Sequence, residues 1–240
     1  MTRPTRSRAR MPRHVAVIMD GNGRWAERRG LPRSAGHRAG ARTVRRVTEE
    51  ATRLGLDQLT LFVFSTENWR RPKGEVDFLM RLFSRFLRSE RRTMRDNDVR
   101  LQAIGRLHEL PALVQRELAD AMRFTRACRG MNLTLAVNYG GRAELADACR
   151  RLIADIEAGA TASVDEAAIA SRLYQPDMPP LDLIVRTGGE MRLSNFLIWQ
   201  AAYAELYVTP VCWPDFDEAQ LRKALADFAR RERRFGAVAG

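Results

Sequence analysis

The chain of 240 residues is 45% hydrophobic and 29% charged, and its formal net charge at pH 7 is +12. This length fits a single domain, and the composition excludes a mainly disordered chain. The three cysteines form no CxxC pair or Cys/His cluster, which excludes a disulfide scaffold and is typical of a reduced intracellular protein. The net positive charge predicts an anionic partner: a nucleic acid, an acidic membrane surface or a phosphorylated metabolite.

The first residues of the chain are basic and contain no apolar core of a secretory signal. We expect residues 1–12 to form a disordered arm. No apolar stretch elsewhere reaches the length that spans a membrane. The expected location is therefore the cytoplasm, with peripheral contact at the inner face of the membrane.

Apolar runs that are typical of buried strands alternate along the chain with helical periodicity. Strands are predicted at 14–19, 58–64, 99–104, 133–138, 182–186 and 206–211. A short basic helix is predicted between Gly23 and Gly30, and longer helices at 44–54, 76–87, 111–127, 142–158, 165–174, 194–204 and 217–231. The alternation favours an α/β fold in one domain, with a mostly parallel central sheet of about six strands flanked by helices on both faces.

Polar, glycine-rich segments follow the predicted strands, at the edge where an open α/β sheet binds its ligands. These segments are 20–24, 65–71, 138–142, 186–192 and 213–215. Glycine permits close approach of the backbone, and the first N–H groups of a helix bind anions. Together the segments predict one large anion-binding site, although any one of them alone is equally well explained as a tight strand-to-helix turn.

Two nucleotide-binding motifs are incomplete in this region. Residues 21–26 match the dinucleotide fingerprint loosely, but no acidic residue closes a second strand about 20 residues further on. The lysine and the hydroxyl residue of a P-loop are missing, because Trp25 and Ala26 follow Arg24.

Five sequence segments strongly resemble the cis-prenyltransferases, and the closest likeness is to bacterial undecaprenyl diphosphate synthases, also called isoprenyl transferases. In chain order they are HVAVIMDGNGRWA (14–26), FSTENWRRP (64–72), VNYGGR (137–142), IVRTGGEMRLSNFLIWQAAYAELY (184–207) and WPDFD (213–217). The resemblance covers residues 13–236, which are therefore expected to form the catalytic domain, and it leaves 237–240 as a tail.

The resemblance implies an enzyme that adds isopentenyl diphosphate repeatedly to an allylic diphosphate, usually farnesyl diphosphate. The expected product is a cis-polyprenyl diphosphate, namely undecaprenyl diphosphate for the cell-wall lipid carrier. Diphosphate is a poor leaving group because charge builds on its oxygens, and Mg²⁺, the implied cofactor, offsets that charge together with arginines. The implied assembly is a homodimer in which residues 234–236 reach a neighbouring active site, with transient membrane contact for product release and no nucleic acid.

The residues that the resemblance implies for the allylic diphosphate lie around the end of the first strand. Asp20 is implied as a catalytic residue and Mg²⁺ ligand, which suits a cation that prefers carboxylates and phosphate oxygens. The substrate-binding residues of this group are Gly21, Asn22, Gly23, Arg24, Trp25, Arg33 and His37.

The end of the fifth strand and the residues after it are implied to bind isopentenyl diphosphate. This group comprises Arg186, Arg192, Leu193 and Ser194. Ser194 can cap the predicted helix 194–204. Glu205, the implied second metal ligand, falls near the far end of that helix, so it needs another route to the metal, such as the partner subunit.

The segment after the second strand is implied to organise the reacting ends of the substrates. Its members are Ser65, Thr66, Glu67, Asn68, Trp69 and Arg71. Asn68 is often assigned as the proton acceptor in this family and is the second implied catalytic residue, but a neutral amide is a very weak base. We expect Asn68 to orient the substrate while a diphosphate oxygen accepts the proton. We also expect Glu75 to anchor Arg71 or a neighbouring loop.

An apolar tunnel for the growing product is expected between the strand at 59–64 and the apolar helix face at 76–87. Each CH₂ group buried there contributes about 0.8 kcal/mol, so product release is expected to be slow. Val63 stands where the family commonly has a smaller residue, which would shorten the product. Met191 and Arg106 also depart from the family pattern, in which a histidine and an acid are frequent, without removing a metal ligand or a clamp arginine.

Simpler explanations stay open for single residues: His37 as a plain residue at a helix start, Trp69 as a core aromatic and Glu205 as an acid on a helix surface. Other functions stay open for the chain. A shorter-chain synthase would share these motifs, whereas a non-catalytic subunit would lack Asp20 and the phosphate cradle, both of which are present. A nucleic-acid-binding protein would fit the charge, but no recognition module is found.

Overall fold

The structure, a computed structural model, describes residues 11–161 and 163–231. Within them, six strands form one sheet in the order β3-β4-β2-β1-β5-β6, and all neighbouring strands are parallel. The strands are β1 (His14–Ile18), β2 (Gln58–Ser65), β3 (Arg100–Ile104), β4 (Asn132–Tyr139), β5 (Leu183–Arg186) and β6 (Glu205–Val208). Each predicted strand is present, which confirms the predicted α/β fold with its parallel sheet.

The strands are rich in apolar residues throughout because both faces of the sheet are covered. On β1, Val15 and Val17 belong to one core, whereas Ala16 and Ile18, which point the opposite way, belong to the other. The seven α-helices within the described residues are α1 (Asn22–Glu27), α2 (Arg33–Arg53), α3 (Lys73–Asp96), α4 (Ala112–Phe124), α5 (Gly141–Glu157), α6 (Glu166–Ala170) and α7 (Glu218–Arg230). Short 3₁₀ turns form at Thr66–Arg70, Leu107–Glu109, Gln200–Tyr203 and Trp213–Asp215.

The larger core lies between one face of the sheet and helices α2, α3, α4 and α7. The second core lies on the other face of the sheet, where Phe196 and Leu197 pack with Tyr139, the last residue of β4. The Tyr139 hydroxyl donates to the buried Glu144 of α5 over 2.5 Å, which fixes that helix to the sheet. This second face is therefore covered by the irregular segment around Phe196 and Leu197, with α5 attached beside it.

Helix α2 begins at Arg33, well before the apolar stripe that predicts it at 44–54. Its first turns contain Gly36 and Gly40, which are weak helix formers and interrupt the apolar pattern. Close packing on α1 requires both glycines, because a Cβ at Gly36 would lie 1.9 Å from the Asn22 carbonyl and one at Gly40 would lie 2.3 Å from Asn22 Oδ1. A tertiary contact therefore decides where α2 begins.

The predicted helix at 194–204 is wrong, and only the turn Gln200–Tyr203 is helical. Ser194, Asn195 and Leu197 have φ angles of 50°, 63° and 45°, which an α-helix does not allow. The first residues of the segment bond to the start of α5, because the Gly141 N–H donates to the Asn195 carbonyl over 2.7 Å. Ser194 accordingly caps no helix.

The limits of the chain are only partly described. The predicted tail 237–240, the implied element 234–236 and nearly all of the predicted arm 1–12 lie outside the described residues. In the part of the chain that is described, no helix is both long enough and apolar enough to cross a membrane.

Candidate active site

The candidate site is built where β1 and β5 end side by side. Ile18 pairs with Arg186 in the parallel register, so Asp20 comes to lie beside the arginine. Arg186 Nη2 donates to Asp20 Oδ2 over 2.9 Å, and the Arg186 side chain is only 3% exposed. Thr187 ties the two strand ends together, because its hydroxyl accepts from the Asp20 N–H (2.9 Å) and donates to the Asp20 carbonyl (2.7 Å).

The surroundings of Asp20 keep its carboxylate ionised. Burial alone would raise the pKa of Asp20, but hydrogen bonds from Arg186 and the Gly21 N–H lower it. The charges of Arg186 and Arg24 lower this pKa further, and the net result is a pKa below the ordinary value. Arg24 Nη2 lies 3.5 Å from Asp20 Oδ1, which also accepts from the Gly21 N–H over 2.6 Å.

An ionised and partly exposed carboxylate is the ligand type that Mg²⁺ prefers, together with phosphate and water oxygens. No group of three or more His, Cys, Asp or Glu side chains within 11–161 and 163–231 is placed to hold a metal. Asp20 therefore has the donor chemistry that fits Mg²⁺.

Glycines let the chain turn tightly from β1 into α1. Gly21 has a φ of 97°, and a Cβ there would lie 2.9 Å from Cys212 Sγ. A Cβ at Gly23 would lie 2.6 Å from the central carbon of the Arg33 guanidinium. Gly23 thereby allows Arg33, which Glu27 holds over 2.7 Å, to lie against the start of α1.

Trp25 turns away from the cavity. Its Nε1 donates to Asp215 Oδ1 over 2.7 Å, and the Arg29 guanidinium lies 4.3 Å from the centre of its ring. Arg29 also pairs with Asp215 over 3.3 Å. The indole therefore connects α1 to the turn Trp213–Asp215, and its implied contact with substrate stays a prediction.

His37 faces the cavity from α2 as a neutral side chain. Burial lowers the pKa of His37 to about 4, and the charges of Arg71 and Arg33 act in the same direction against the opposing effect of Glu75. His37 Nε2 is buried and has no hydrogen-bond partner among the described residues, with Glu75 Oε1 at 3.7 Å. Arg71 Nη1 donates to Glu75 Oε1 over 2.9 Å, which confirms that Glu75 anchors Arg71.

The turn after β2 is closed by its own side chains. Asn68 Oδ1 accepts from the Ser65 N–H over 3.1 Å, and the Ser65 side chain in turn accepts from the Asn68 N–H. Trp69 Nε1 donates to Asn138 Oδ1 over 2.7 Å, and the indole is 37% exposed, so the explanation of Trp69 as a core aromatic is wrong. Glu67 Oε1 accepts from Asn195 Nδ2 over 2.9 Å, which ties this turn to the segment after β5.

Arg186 joins the first strand to the segment after β5. Its Nη1 donates to Ser194 Oγ over 2.7 Å and also to the Arg192 carbonyl, while Nη2 bonds to Asp20. Arg186 Nε is buried without a hydrogen-bond partner in the described part of the chain. The guanidinium thus has one unsatisfied donor next to the carboxylate.

Glu190 stands between two arginines of the implied clamps. Arg192 Nη1 donates to Glu190 Oε2 over 2.7 Å, and Arg24 Nη1 lies 3.8 Å from Glu190 Oε1. Gly188 has a φ of 82°, and a Cβ there would lie 2.7 Å from Arg24 Nη2. The glycine therefore lets Arg24 approach the loop after β5.

The chain itself does not bring Glu205 to Asp20. Glu205 is the first residue of β6 and pairs with Leu183, at the amino edge of the sheet, whereas Arg186 pairs with Val208 at the other edge. At about 3.3 Å per residue and 4.8 Å per strand, the register places Glu205 roughly 10 Å along the sheet and 10 Å across it from Ile18, and Asp20 lies two residues beyond Ile18, further from Glu205 still. Arg231 Nη1 donates to Glu205 Oε2 over 3.2 Å.

A cavity of about 670 Å³ opens beside Asp20, between the sheet and helices α2 and α3. Its polar end contains Asp20, Asn22, His37, Ser65, Glu67, Asn68, Arg71, Arg186, Arg192, Ser194 and Asn195. Its apolar lining residues, of which Trp213 lies beside Asp20, are Val44, Phe62, Val63, Phe64, Leu79, Met80, Leu82, Phe83, Phe86, Leu135, Val137 and Trp213. The implied residues that do not line it are Gly21, Gly23, Arg24, Trp25, Arg33, Thr66, Trp69, Leu193 and Glu205.

The strand at 59–64 and the helix face at 76–87 thus line one apolar space, as the sequence predicts. The further prediction that this space is a tunnel stays a prediction.

Arg106 and Met191, the departures from the family pattern, lie outside the cavity lining. Arg106 donates to both carboxylate oxygens of Asp147, each over 3.0 Å, and Met191 is 81% exposed. Arg106 therefore has a structural ion pair, whereas nothing in the structure explains Met191.

Sequence reasoning missed Asn195 and Thr187 as site residues. Asn195 Nδ2 donates to Glu67 Oε1 over 2.9 Å, while its Oδ1 accepts from the Arg142 N–H over 2.9 Å. It thereby joins the polar segments 65–71 and 138–142 to the residues that follow 186–192. One sequence signal could have indicated Asn195: it directly follows Ser194, and asparagine tolerates the left-handed backbone conformation that this residue adopts, with a φ of 63°.

The comparisons with known proteins agree over nearly the whole chain. The prenyltransferase family model described as putative undecaprenyl diphosphate synthase matches residues 18–236. An isoprenyl transferase of Rhodopirellula baltica is 49% identical over 230 residues, covering 95% of this chain and 94% of its own length. A ditrans,polycis-undecaprenyl-diphosphate synthase, (2E,6E)-farnesyl-diphosphate specific, of Aliivibrio fischeri is 46% identical over 228 residues, covering 94% of this chain and 89% of its own.

Among solved structures, lavandulyl diphosphate synthase from Lavandula x intermedia, in complex with dimethylallyl diphosphate, superposes with a TM-score of 0.91 at 39% identity. The match covers 94% of this chain and 98% of the plant protein. Together with the motifs and the fold, these similarities show that the chain belongs to the cis-prenyltransferase, or isoprenyl transferase, family.

Proposed function

We propose that this enzyme condenses isopentenyl diphosphate repeatedly onto an allylic diphosphate and produces undecaprenyl diphosphate. The observation that carries the proposal is the cavity, whose polar end holds Asp20, Arg186 and Arg192 and whose other end is apolar. A diphosphate fits the first end and a hydrocarbon chain fits the second. The farnesyl primer and the undecaprenyl product are supported by the name of the Aliivibrio fischeri relative.

On the allylic side, Asp20 would hold Mg²⁺ together with oxygens of the diphosphate. When bound, the cation offsets the negative charge that develops on the leaving diphosphate. Arg24 and Arg33 supply positive charge beside the start of α1, and neutral His37 offers its unpaired Nε2 to a phosphate oxygen. Gly21, Asn22, Gly23 and Trp25 are proposed to complete this cradle.

On the isopentenyl side, Arg186, Arg192 and Ser194 are proposed to bind the second diphosphate, with Leu193 beside them. Among the described residues, the Arg192 side chain is held by Glu190 alone, which an incoming diphosphate can replace as its anionic partner. The unsatisfied Arg186 Nε provides a further donor next to Asp20.

The chemical step breaks the bond between the allylic carbon and its diphosphate oxygen and forms a new carbon–carbon bond to isopentenyl diphosphate. One proton then leaves the new chain, and we assign a diphosphate oxygen as its acceptor. Asn68 would orient the substrate through its amide NH₂, because its Oδ1 is already engaged by the Ser65 N–H. Ser65, Thr66, Glu67, Trp69 and Arg71 are proposed to position this segment.

The remaining assignments concern the assembly. We propose a catalytic domain over 13–236 that forms a homodimer. In it, Glu205 of one copy could serve a metal of another, which is consistent with its distance from Asp20 within one chain.

The test is an assay with isopentenyl and farnesyl diphosphates and Mg²⁺, in which the products are sized by chromatography. Asp20→Ala is expected to lower kcat at least about 100-fold, because the charge on the leaving group is no longer offset. The matched control is Asp177→Ala, which removes an exposed carboxylate away from the cavity. If Asp20→Ala turns over like the control, the metal role is wrong.

A shorter cis-prenyl product is the second candidate. It is favoured by Val63, which lines the cavity where the family commonly has a smaller side chain. The same chromatography separates the two candidates, because it reports the number of added units directly.

A further inference from the structure

An unpaired group of arginines covers the outer side of α2 and α3. We call Arg38, Arg42, Arg81, Arg85 and Arg92 the arginine surface. All are exposed, and none has a carboxylate within ion-pair distance among the described residues. Arg81, Arg85 and Arg92 are four and seven residues apart, so they share one face of α3.

The two helices present these arginines on one side of the molecule. The Arg38 guanidinium lies 5.7 Å from the centre of the Phe78 ring, and Arg45 Nε lies 3.7 Å from Glu90 Oε2. Both contacts link α2 to α3. Other charges on this side neutralise one another, as in the Lys73–Asp77 pair at 2.7 Å. The arginine surface therefore dominates the potential there.

The apolar wall of the cavity reaches the same side. Leu79, Leu82 and Phe86 of α3 line the cavity and are only half-buried, and Phe78 beside them is also half-buried. Phe78, which does not line the cavity, therefore contacts solvent beside Arg38, and the cavity-lining residues Leu79 and Leu82 lie next to it on α3. This combination of cationic and apolar side chains is typical of surfaces that rest on a lipid bilayer.

We propose that the arginine surface docks this protein onto a bilayer that contains anionic lipids. Acidic headgroups attract arginines that come within a Debye length of the membrane surface. Docking in this orientation turns the apolar wall of the cavity toward the acyl chains, where an apolar product can leave. The benefit for product release rests on the proposed function, whereas the docking itself does not.

The experiment measures sedimentation of the full-length protein with vesicles of phosphatidylglycerol and phosphatidylcholine, or of phosphatidylcholine alone, at low and high salt. The test variant is Arg42→Gln/Arg81→Gln/Arg85→Gln. The matched control, Arg100→Gln/Arg126→Gln/Arg129→Gln, removes the same charge from exposed arginines around the start of β3 and the loop before β4. Thermal unfolding of each variant establishes that it is folded.

We expect the control to bind acidic vesicles like the unaltered protein and the test variant to bind roughly tenfold or more weakly. Binding should also weaken at high salt and on pure phosphatidylcholine. Equal losses in both variants would mean that total charge, not this surface, causes binding, and would overturn the proposal. The proposal would also be overturned if the test variant retained vesicle binding but lost binding to duplex DNA. Vesicle binding without prenyl transfer would overturn the proposed function alone.

Discussion

Arg186 connects both proposed diphosphate positions through one buried side chain. It donates to Asp20 on one side and to Ser194 on the other, and its Nε has no hydrogen-bond partner among the described residues. A buried donor without a partner costs roughly 1–3 kcal/mol. A bound diphosphate oxygen would offset this cost, so the side chain is prepared for an anionic ligand.

Asn68→Asp distinguishes orientation by the amide from proton acceptance. Aspartate keeps an oxygen for the Ser65 N–H, which Asn68 Oδ1 accepts over 3.1 Å, but it removes the amide donors and supplies a stronger base. We expect the rate of the chemical step to fall about 100-fold, because the substrate loses its orienting donors. Single-turnover kinetics measure this change, and an unaltered unfolding midpoint shows that the turn is intact. Full activity of the variant would identify the residue as a proton acceptor.

At the scale of elements, β2 and α3 form two walls of the apolar end of the cavity. Val63 lies on the first wall, and Leu82 and Phe86 lie on the second. The volume between them is therefore set by a few side chains on elements that also belong to the core.

Val63→Ala is expected to lengthen the product, because it removes two methyl groups from the cavity wall and leaves more room for the growing chain. Chromatographic sizing of products made from farnesyl diphosphate measures the effect. Val15→Ala is the matched control, since Val15 is fully buried in β1 but does not line the cavity. An unchanged length distribution for Val63→Ala would rule out this role.

At the scale of the whole molecule, ion pairs join segments that are distant in sequence. Arg106, which follows β3, donates to Asp147 of α5, and Tyr174 donates to the same carboxylate. Burial alone would raise the pKa of Asp147. Hydrogen bonds from Arg106 and Tyr174, together with the charges of Arg106 and Arg150, lower it from 3.8 to about 2.

This depressed pKa predicts a pH-dependent contribution to stability. Because the folded state holds the proton less tightly than the unfolded state, the contribution is present above about pH 4 and is lost as the pH falls toward 2. We expect Asp147→Asn to lower the free energy of unfolding at pH 7 by ~2 kcal/mol and to flatten its fall between pH 4 and 2. Urea denaturation at several pH values measures both, with the exposed Asp177→Asn as control. A variant with the same pH profile as the unaltered protein would contradict the assignment.

Much of the fold and of the site follows from local patterns. The apolar runs predict the strands, and their alternation with helices predicts the parallel sheet, because parallel strands need a crossover between them. Parallel strands end at one edge, which is why Asp20 and Arg186 could be placed together from sequence. The anchoring of Arg71 by Glu75, as expected from the sequence, joins an extended residue before α3 to the first turn of that helix.

The amino-acid sequence by itself determined the six strands, their arrangement in a parallel α/β fold and the family. Only the tertiary structure decided the shape of 194–204, the direction of Trp25 and the separation of Glu205 from Asp20. The segment at 194–204 has helical periodicity but bonds to α5, and Trp25 is held by Asp215, which lies far away in the chain. Such contacts between distant segments outweigh weak local preferences, and a pattern of neighbouring residues does not contain them.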